Sequence, residues 1–382
     1  MLRIFLYYLL ACPLILEMGC LTVFGQETPL PERLLTEADT LPNHTFHLFP
    51  ILSYTQETSL QLGAFGLYSF YTDHTDALTR NSSLSLTLLY TLEKQAIINA
   101  RSEIWSKTNK WHYSGEMSYR YFPFYFYGIG AATALKDQEL LTEQYFSFQL
   151  SAERQVAGPY YLGLKVGLDS YQYHNENAGG LYQNDPNIIG KSGGDLISVE
   201  LIQAYDSRNN TVYPTKGAFV RISTGYAPTI WGKDNYQGTL LSADLRKFKS
   251  LLPTLVIGLH ATYKSYPSGQ VPFYLLPRLG NDQLMRGYYA GRFRDQQLLA
   301  FQTELRYRFT SQLGVVGFLG AGMVYGQENI SRHALKPSYG IGFRYFIDPK
   351  QGLSIRLDYG IGQQLPGEKR QTGFYFSLGE SF

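Results

Sequence analysis

Histidines are the first residues to weigh for chemistry, because imidazoles bind transition metals and move protons near neutral pH. His44, His47, His74, His112, His174, His260 and His333 form no His-Glu-x-x-His pair, and no paired cysteines stand beside them. Metal-assisted hydrolysis therefore has no ligand pattern to start from, and no cofactor is expected. Gly128-Ile129-Gly130 and Gly193-Gly194-Asp195 lack the strand-to-helix setting in which glycines cradle a phosphate, and no nucleophile elbow stands out among the serines. What remains is charge at strand spacing. Glu304, Arg306 and Arg308 alternate with Leu305, Tyr307 and Phe309, and Arg356 and Asp358 alternate with Ile355, Leu357 and Tyr359. Such groups can tune solute passage through a polar lumen. An Arg286-Gly287-Tyr288 triplet stands apart, in a long segment without this alternation.

Alternation puts charged and apolar side chains on opposite faces of a strand. It recurs at Ile197, Val199, Leu201 and Tyr205 against Ser198, Glu200, Asp206 and Arg208. A soluble sheet would need a second layer over each apolar face, whereas a membrane barrel turns that face to lipid and the polar one to its lumen. The composition agrees: 15% aromatic residues, 32 tyrosines and 37 glycines against only 17% charged residues. A near-neutral balance of 33 basic and 31 acidic residues gives no support to nucleic-acid binding.

Met1 to Gly25 reads as a signal peptide, with Arg3 ahead of a hydrophobic stretch interrupted by Pro13 and Glu17. Cys12 follows Leu-Leu-Ala in a lipobox-like order, but lipidation there leaves Leu14 to Leu16 unexplained. Removing the leader takes Cys12 and Cys20 with it, so neither a disulfide nor a thiol nucleophile is expected. A short periplasmic segment, 26–45, then leads into a barrel over 46–382. The pattern divides into strands near 46–55, 59–72, 82–93, 95–106, 111–123, 142–155, 160–173, 195–208, 216–226, 237–249, 252–264, 297–309, 312–325, 335–347, 352–361 and 371–382. That is an all-β, closed antiparallel transmembrane β-barrel of 16 strands, with fourteen as the competing count; an even number returns both ends to one membrane side. Long connections fall at 124–141, 174–194 and 265–296.

Several motifs together resemble the BamA/TamA outer-membrane superfamily. Tyr205-Asp206-Ser207-Arg208-Asn209-Asn210 with Tyr213-Pro214-Thr215-Lys216-Gly217 is similar to its turn motif, whose key positions are Asp206, Arg208, Pro214 and Gly217. Leu284-Met285-Arg286-Gly287-Tyr288, continuing from Arg292 to Asp295, resembles the signature of its sixth extracellular loop. Gly340 to Tyr345, Leu357 to Gly360 and the end at Phe382 resemble its last three strands.

The resemblance implies that loop 265–296 folds into the lumen and sets Arg286 against the inner wall, with Glu304, Arg344 and Asp358 as lumen neighbours. The family's acidic residue on the thirteenth strand is replaced by Gly320, so either another acceptor holds Arg286 or closure is weaker. The resemblance also implies a lateral seam between first and last strands. Pro50 fits an edge, and Gly373 and Gly379 help the last strand bend. Phe376, Leu378 and Phe382 share one parity, expected to face lipid, and resemble the C-terminal signal by which barrels are themselves recognised. Segment 26–45 is too short for the family's periplasmic substrate-binding domain. The expected function is an accessory part in assembly, insertion or translocation of outer-membrane or surface proteins. It would act through the seam on a β-rich polypeptide client, with a periplasmic or lipoprotein partner. The alternative is a structural or pore-forming subunit.

Overall fold

A computed structural model describes residues 44–73, 79–175, 177, 179–229, 235–326, 334–349 and 352–382. The expected leader, its cysteines, residues 26–43, His74 and His333 lie outside the described residues. Among the described residues eighteen strands follow one another. The first eleven are β1 (His44–Thr55), β2 (Ser59–Phe70), β3 (Ser82–Thr91), β4 (Ala96–Trp105), β5 (Trp111–Phe126), β6 (Glu139–Ala157), β7 (Tyr160–Asn175), β8 (Gly193–Asp206), β9 (Gly217–Ala227), β10 (Gly238–Leu252) and β11 (Leu255–Ser265). The remainder are β12 (Arg278–Leu279), β13 (Phe293–Arg294), β14 (Gln297–Arg308), β15 (Leu313–Tyr325), β16 (Lys336–Asp348), β17 (Leu353–Ile361) and β18 (Thr372–Leu378).

Sixteen of them close into one antiparallel barrel in chain order, β11 pairing with β14 and β1 with β18. The two short strands β12 and β13 form a hairpin of their own inside the connection 266–296. Period-2 patterning is the cause of this closure. Leu299, Phe301, Leu305 and Tyr307 stand outside and exposed, while Gln302, Glu304 and Arg306, the residues between, are buried in the interior. Closing the sheet pairs the backbone groups that lipid could not satisfy.

Boundaries shift where tertiary contacts extend the pairing. β1 starts at His44 rather than 46. β5 and β6 run three residues further at their shared loop and pair from Trp111↔Arg154 to Phe126↔Glu139. That extension shortens the expected 124–141 connection.

The last strand departs from expectation more sharply. β18 stops at Leu378, because Gly379 takes φ +78°, a left-handed conformation that glycine adopts without a Cβ clash. Phe374 and Leu378 stand exposed on the outer face, but Phe382 does not follow them. It is 6% exposed and lies inside, its ring centroid 5.0 Å from His260 and 6.1 Å from Phe248. Parity predicts an outward Phe382 only for a strand that continues straight through residue 382.

Candidate functional site

Loop 266–296 dips into the barrel and brings Arg286 to the wall formed by β14 to β17. Its guanidinium is fully buried. Nη2 donates to Glu304 Oε1 at 2.5 Å, Nη1 donates to Asp358 Oδ2, and the group lies 3.6 Å from the centroid of the Phe318 ring. A planar cation bridging two carboxylates over an aromatic face uses the fork geometry that distinguishes arginine from lysine.

Neither acid is held by Arg286 alone. Glu304 also accepts from Arg306 Nε at 2.8 Å and from Ser381 Oγ at 2.5 Å. Asp358 accepts from Arg344 Nη1 at 2.5 Å, and Arg344 Nε reaches Glu380 at 2.9 Å. Arg356 meets Asp282 of the loop at 2.6 Å and Ser377 of β18 at 2.7 Å, while Arg306 Nη2 donates to the main-chain oxygen of Phe382 at 2.8 Å. Four guanidiniums and four carboxylates thus tie the loop, four strands and residues 380–382 into one network. Mutual pairing is the condition on which so much buried charge is tolerated.

The substitution at Gly320 has a steric side. A Cβ there would lie 2.8 Å from Phe301 O and 2.9 Å from Gln302 Cβ. The acids come from β14 and β17 instead. Gln302 takes up the adjoining backbone: its Oε1 accepts from Met285 N–H at 3.2 Å, and its Nε2 donates to Gln283 O at 2.6 Å.

The rest of the triplet is held by the main chain. Gly287 N–H donates to the Tyr375 hydroxyl at 2.9 Å, and Tyr288 Oη donates to Pro337 O at 2.6 Å and accepts from Gln363 N–H at 2.8 Å. Gly287 has φ +104°, and a Cβ on it would meet Gly362 N and Ile361 C at 2.8 Å. Gly287→Ala is accordingly expected to cost on the order of 1–3 kcal/mol through strain and displacement of the loop. Thermal unfolding in detergent checks this against Gly317→Ala, where an added Cβ meets nothing within 4 Å. Equal transition temperatures for the two variants would refute the close approach.

Above the triplet the loop is fastened again. Arg278 pairs with Glu143 of β6 at 2.5 Å, and Arg292 pairs with Glu368 at 3.0 Å. Arg294 lies 4.8 to 5.3 Å from the ring centroids of Phe273, Phe126 and Phe124. Glu57, in the turn between β1 and β2, accepts from Ala290 N–H at 2.6 Å, and burial there raises its carboxyl above the usual range. Met285, Arg286, Tyr288, Arg292, Phe293 and Arg294 are all at most 1% exposed. The loop is a packed plug. Among the described residues no group of three His, Cys, Asp or Glu is placed to hold a metal.

At the opposite barrel end, Arg208 donates from Nε and Nη2 to the two Asp206 oxygens at 2.9 and 3.0 Å. Gly217 takes φ +99° where a Cβ would meet Ser207 O at 2.1 Å, and Pro214 is buried. This turn is structural: Tyr213 beside Pro214 packs edge-on against Phe346 at 5.1 Å.

The seam is the second feature. β1 pairs with β2 at twelve positions but with β18 at one, Tyr54↔Phe376. The edge from His44 to Ser53, with Pro50 in it, has no strand partner among the described residues. Gly373 plays a different part from Gly379. A Cβ on Gly373 would sit 1.9 Å from Gln56 Nε2, so the glycine makes room for the Gln56 to Tyr375 hydrogen bond of 3.0 Å at the top of the seam.

The Omp85 superfamily domain matches residues 77–382, most of the chain and nearly all of this barrel. The chain belongs to the Omp85 superfamily. It is an integral, multi-pass barrel of the Gram-negative outer membrane, a placement that its exposed apolar belt accounts for physically. Similar folds occur in BamA from Haemophilus ducreyi lacking POTRA domains 1–3 (TM-score 0.58, 15% identity, 88% of this chain and 70% of that one). They occur also in CdiB from Acinetobacter baumannii (0.58, 14%, 89% and 60%) and CdiB from Escherichia coli (0.56, 12%, 92% and 63%). No curated protein matches the chain in sequence.

Within this Omp85 barrel, several site residues carry no motif of their own. Arg306 has a legible signal, since it shares parity with Glu304. Asp282, Glu380 and Ser381 have none, because a loop and a reversed tail bring them in. Tyr375 shares parity with Gly373 and was hidden by the aromatic run around it.

Proposed function

We propose that this barrel is an accessory component for assembly, insertion or translocation of outer-membrane or surface proteins. It works sideways through the β1–β18 seam, and the client is a β-rich polypeptide delivered by a periplasmic or lipoprotein partner. The observation that carries the reading is the single registered pair between β1 and β18. An edge with unpaired N–H and C=O groups is a template for an incoming strand, which gains main-chain hydrogen bonds without regard to its side chains. The buried loop 266–296 favours a sideways route over an axial one, since its packed side chains stand across the interior between β6 and β14 to β17.

The test is quantitative comparison of outer-membrane proteins and lipoproteins soon after depletion, with a wild-type rescue. The expected result is prompt loss of several barrel or surface proteins, restored by wild type. An unchanged envelope with one stably co-purifying complex, or a selective conductance, would overturn the proposal in favour of a structural or pore-forming subunit.

A further inference from the structure

The first hairpin is uncharged on both faces, and the middle of its inner face is apolar. Neither β1 nor β2 contains an Asp, Glu, Lys or Arg. Phe46, Leu48, Leu52 and Leu62 cover the outer face, and Phe46 and Leu48 are each 66% exposed. On the inner face the register places Phe49 opposite Phe65, Ile51 opposite Gly63 and His47 opposite Leu67. The Phe49 and Phe65 rings stack with centroids 6.4 Å apart, and Phe49 remains 39% exposed.

Most inner faces elsewhere in the barrel are polar: that of β3, also uncharged, carries Ser83, Ser85 and Thr87. Those of β4 to β10 carry Arg101, Glu116, Lys165, Glu200, Arg221 and Asp244, in ion pairs such as Lys165 to Glu200 at 2.6 Å. β15 is also free of charge, and its inner Phe318 and Val324 are covered by the loop, through Arg286 and through Leu279 and Met285. At β1 and β2, Phe49 stays exposed, Ile51, Phe65 and Leu67 are only partly buried, and none of the four belongs to the hydrophobic clusters built around the loop.

The open edge of β1 joins this apolar surface to the lipid-facing one. We propose that phospholipid acyl chains pass around the unpaired edge between His44 and Ser53 and lie on the lumen face of β1 and β2. The surface is continuous with the belt already in contact with lipid. An alkyl chain asks for no hydrogen bonds from it, whereas an amphipathic strand would set its polar row against Phe49 and Phe65. The edge itself accounts for the rest of the amphiphile. Its backbone N–H groups and the exposed His44 and His47 lie at the end of β1 farthest from Tyr54, where they can donate to ester and phosphate oxygens of the head group. At about 3.3 Å per residue, Phe49 and Ile51 sit roughly 15 to 25 Å along the strand from His44, within reach of a chain anchored there. The inference rests on the open seam and not on client handling, so either can fail without the other.

The test uses the wild-type barrel in vesicles of phosphatidylcholine carrying a diazirine near the acyl terminus. Photoadducts are mapped to single residues by mass spectrometry. Adducts at Phe46 and Leu48 are the internal reference. Phe49, Phe65 or Leu67 is expected to be modified within about threefold of Leu48, while inner residues of β3 such as Ser85 are modified far less. A spin label at Phe49→Cys reports independently: collisions with oxygen should exceed those with a nickel chelate, as at the outer control Leu86→Cys and opposite to Ser85→Cys. Adducts confined to the outer face, or nickel collisions at Phe49→Cys equal to those at Ser85→Cys, would overturn the proposal by showing a hydrated inner face open to a polypeptide.

Discussion

Arg286→Ala is expected to release loop 266–296 from the wall and to lower barrel stability by about 3–5 kcal/mol, the range for removing one partner of a buried ion pair. The loss exceeds that of a surface pair because Glu304 and Asp358 stay behind in the interior. Glu304 keeps Arg306, and Asp358 keeps Arg344 with Arg356 at 3.8 Å, but the position between the two acids becomes a cavity edged with carboxylate oxygens. Arg286→Lys should recover only a small part: a single ammonium cannot present two parallel donors to acids on β14 and β17 while lying flat on Phe318. Adding Glu304→Gln and Asp358→Asn to Arg286→Ala should restore more than Arg286→Lys does, since it removes the stranded charge. Thermal unfolding in detergent and protease cleavage between residues 280 and 292 read the two consequences separately. A variant with wild-type unfolding and an uncut loop would show that the contacts above the triplet, at Arg278, Arg292 and Arg294, hold the plug without the latch.

A second large effect is expected from the paired substitution Tyr54→Cys and Phe376→Cys. These residues are register partners across β1 and β18, and opposed Cβ atoms in an antiparallel pair lie about 4.5–5.5 Å apart, close enough for a disulfide after slight adjustment. Oxidation should lock the seam where it is already paired and leave the barrel folded. If the seam is the working part, the oxidised double variant should reproduce the loss of envelope proteins expected on depletion. Reductant should reverse it, and each single cysteine should behave as wild type. Full activity of the verified crosslinked form would exclude strand separation at this point. The same variant separates the seam from the latch, because a lock at Tyr54 and Phe376 leaves Arg286, Glu304 and Asp358 untouched.

Much of the architecture was legible in the chain itself. The alternation around Leu299 to Phe309 and Ile197 to Arg208 predicts strands with one lipid face and one lumen face. Sixteen such segments predict the closed barrel; that the longest interruption, ahead of residue 297, folds inward came only from the resemblance carried by Arg286-Gly287-Tyr288. Those inferences succeed because strand periodicity is local: a residue and its second neighbour share a face whatever the rest of the chain does. The turn at Asp206 to Gly217 is legible for the same reason, as its proline and glycine answer to dihedrals within a few residues.

The site was legible only in outline. Arg286-Gly287-Tyr288 marks which stretch enters the lumen, but its partners come from other strands and could not be ranked by spacing. The acid missing at Gly320 is replaced by two acids on other strands, and Gln302 serves the loop backbone where an acid would have competed for room. Phe382 fails as an outward residue because one left-handed glycine, Gly379, turns the tail and carries Glu380 and Ser381 to Arg344 and Glu304. The sequence by itself determined which residues alternate, how many strands result and which loop carries the charge. Tertiary structure decided which charges meet, where the last strand stops and how little of the seam is paired, because those outcomes depend on chain segments remote in sequence and on one backbone rotation that side-chain parity does not encode.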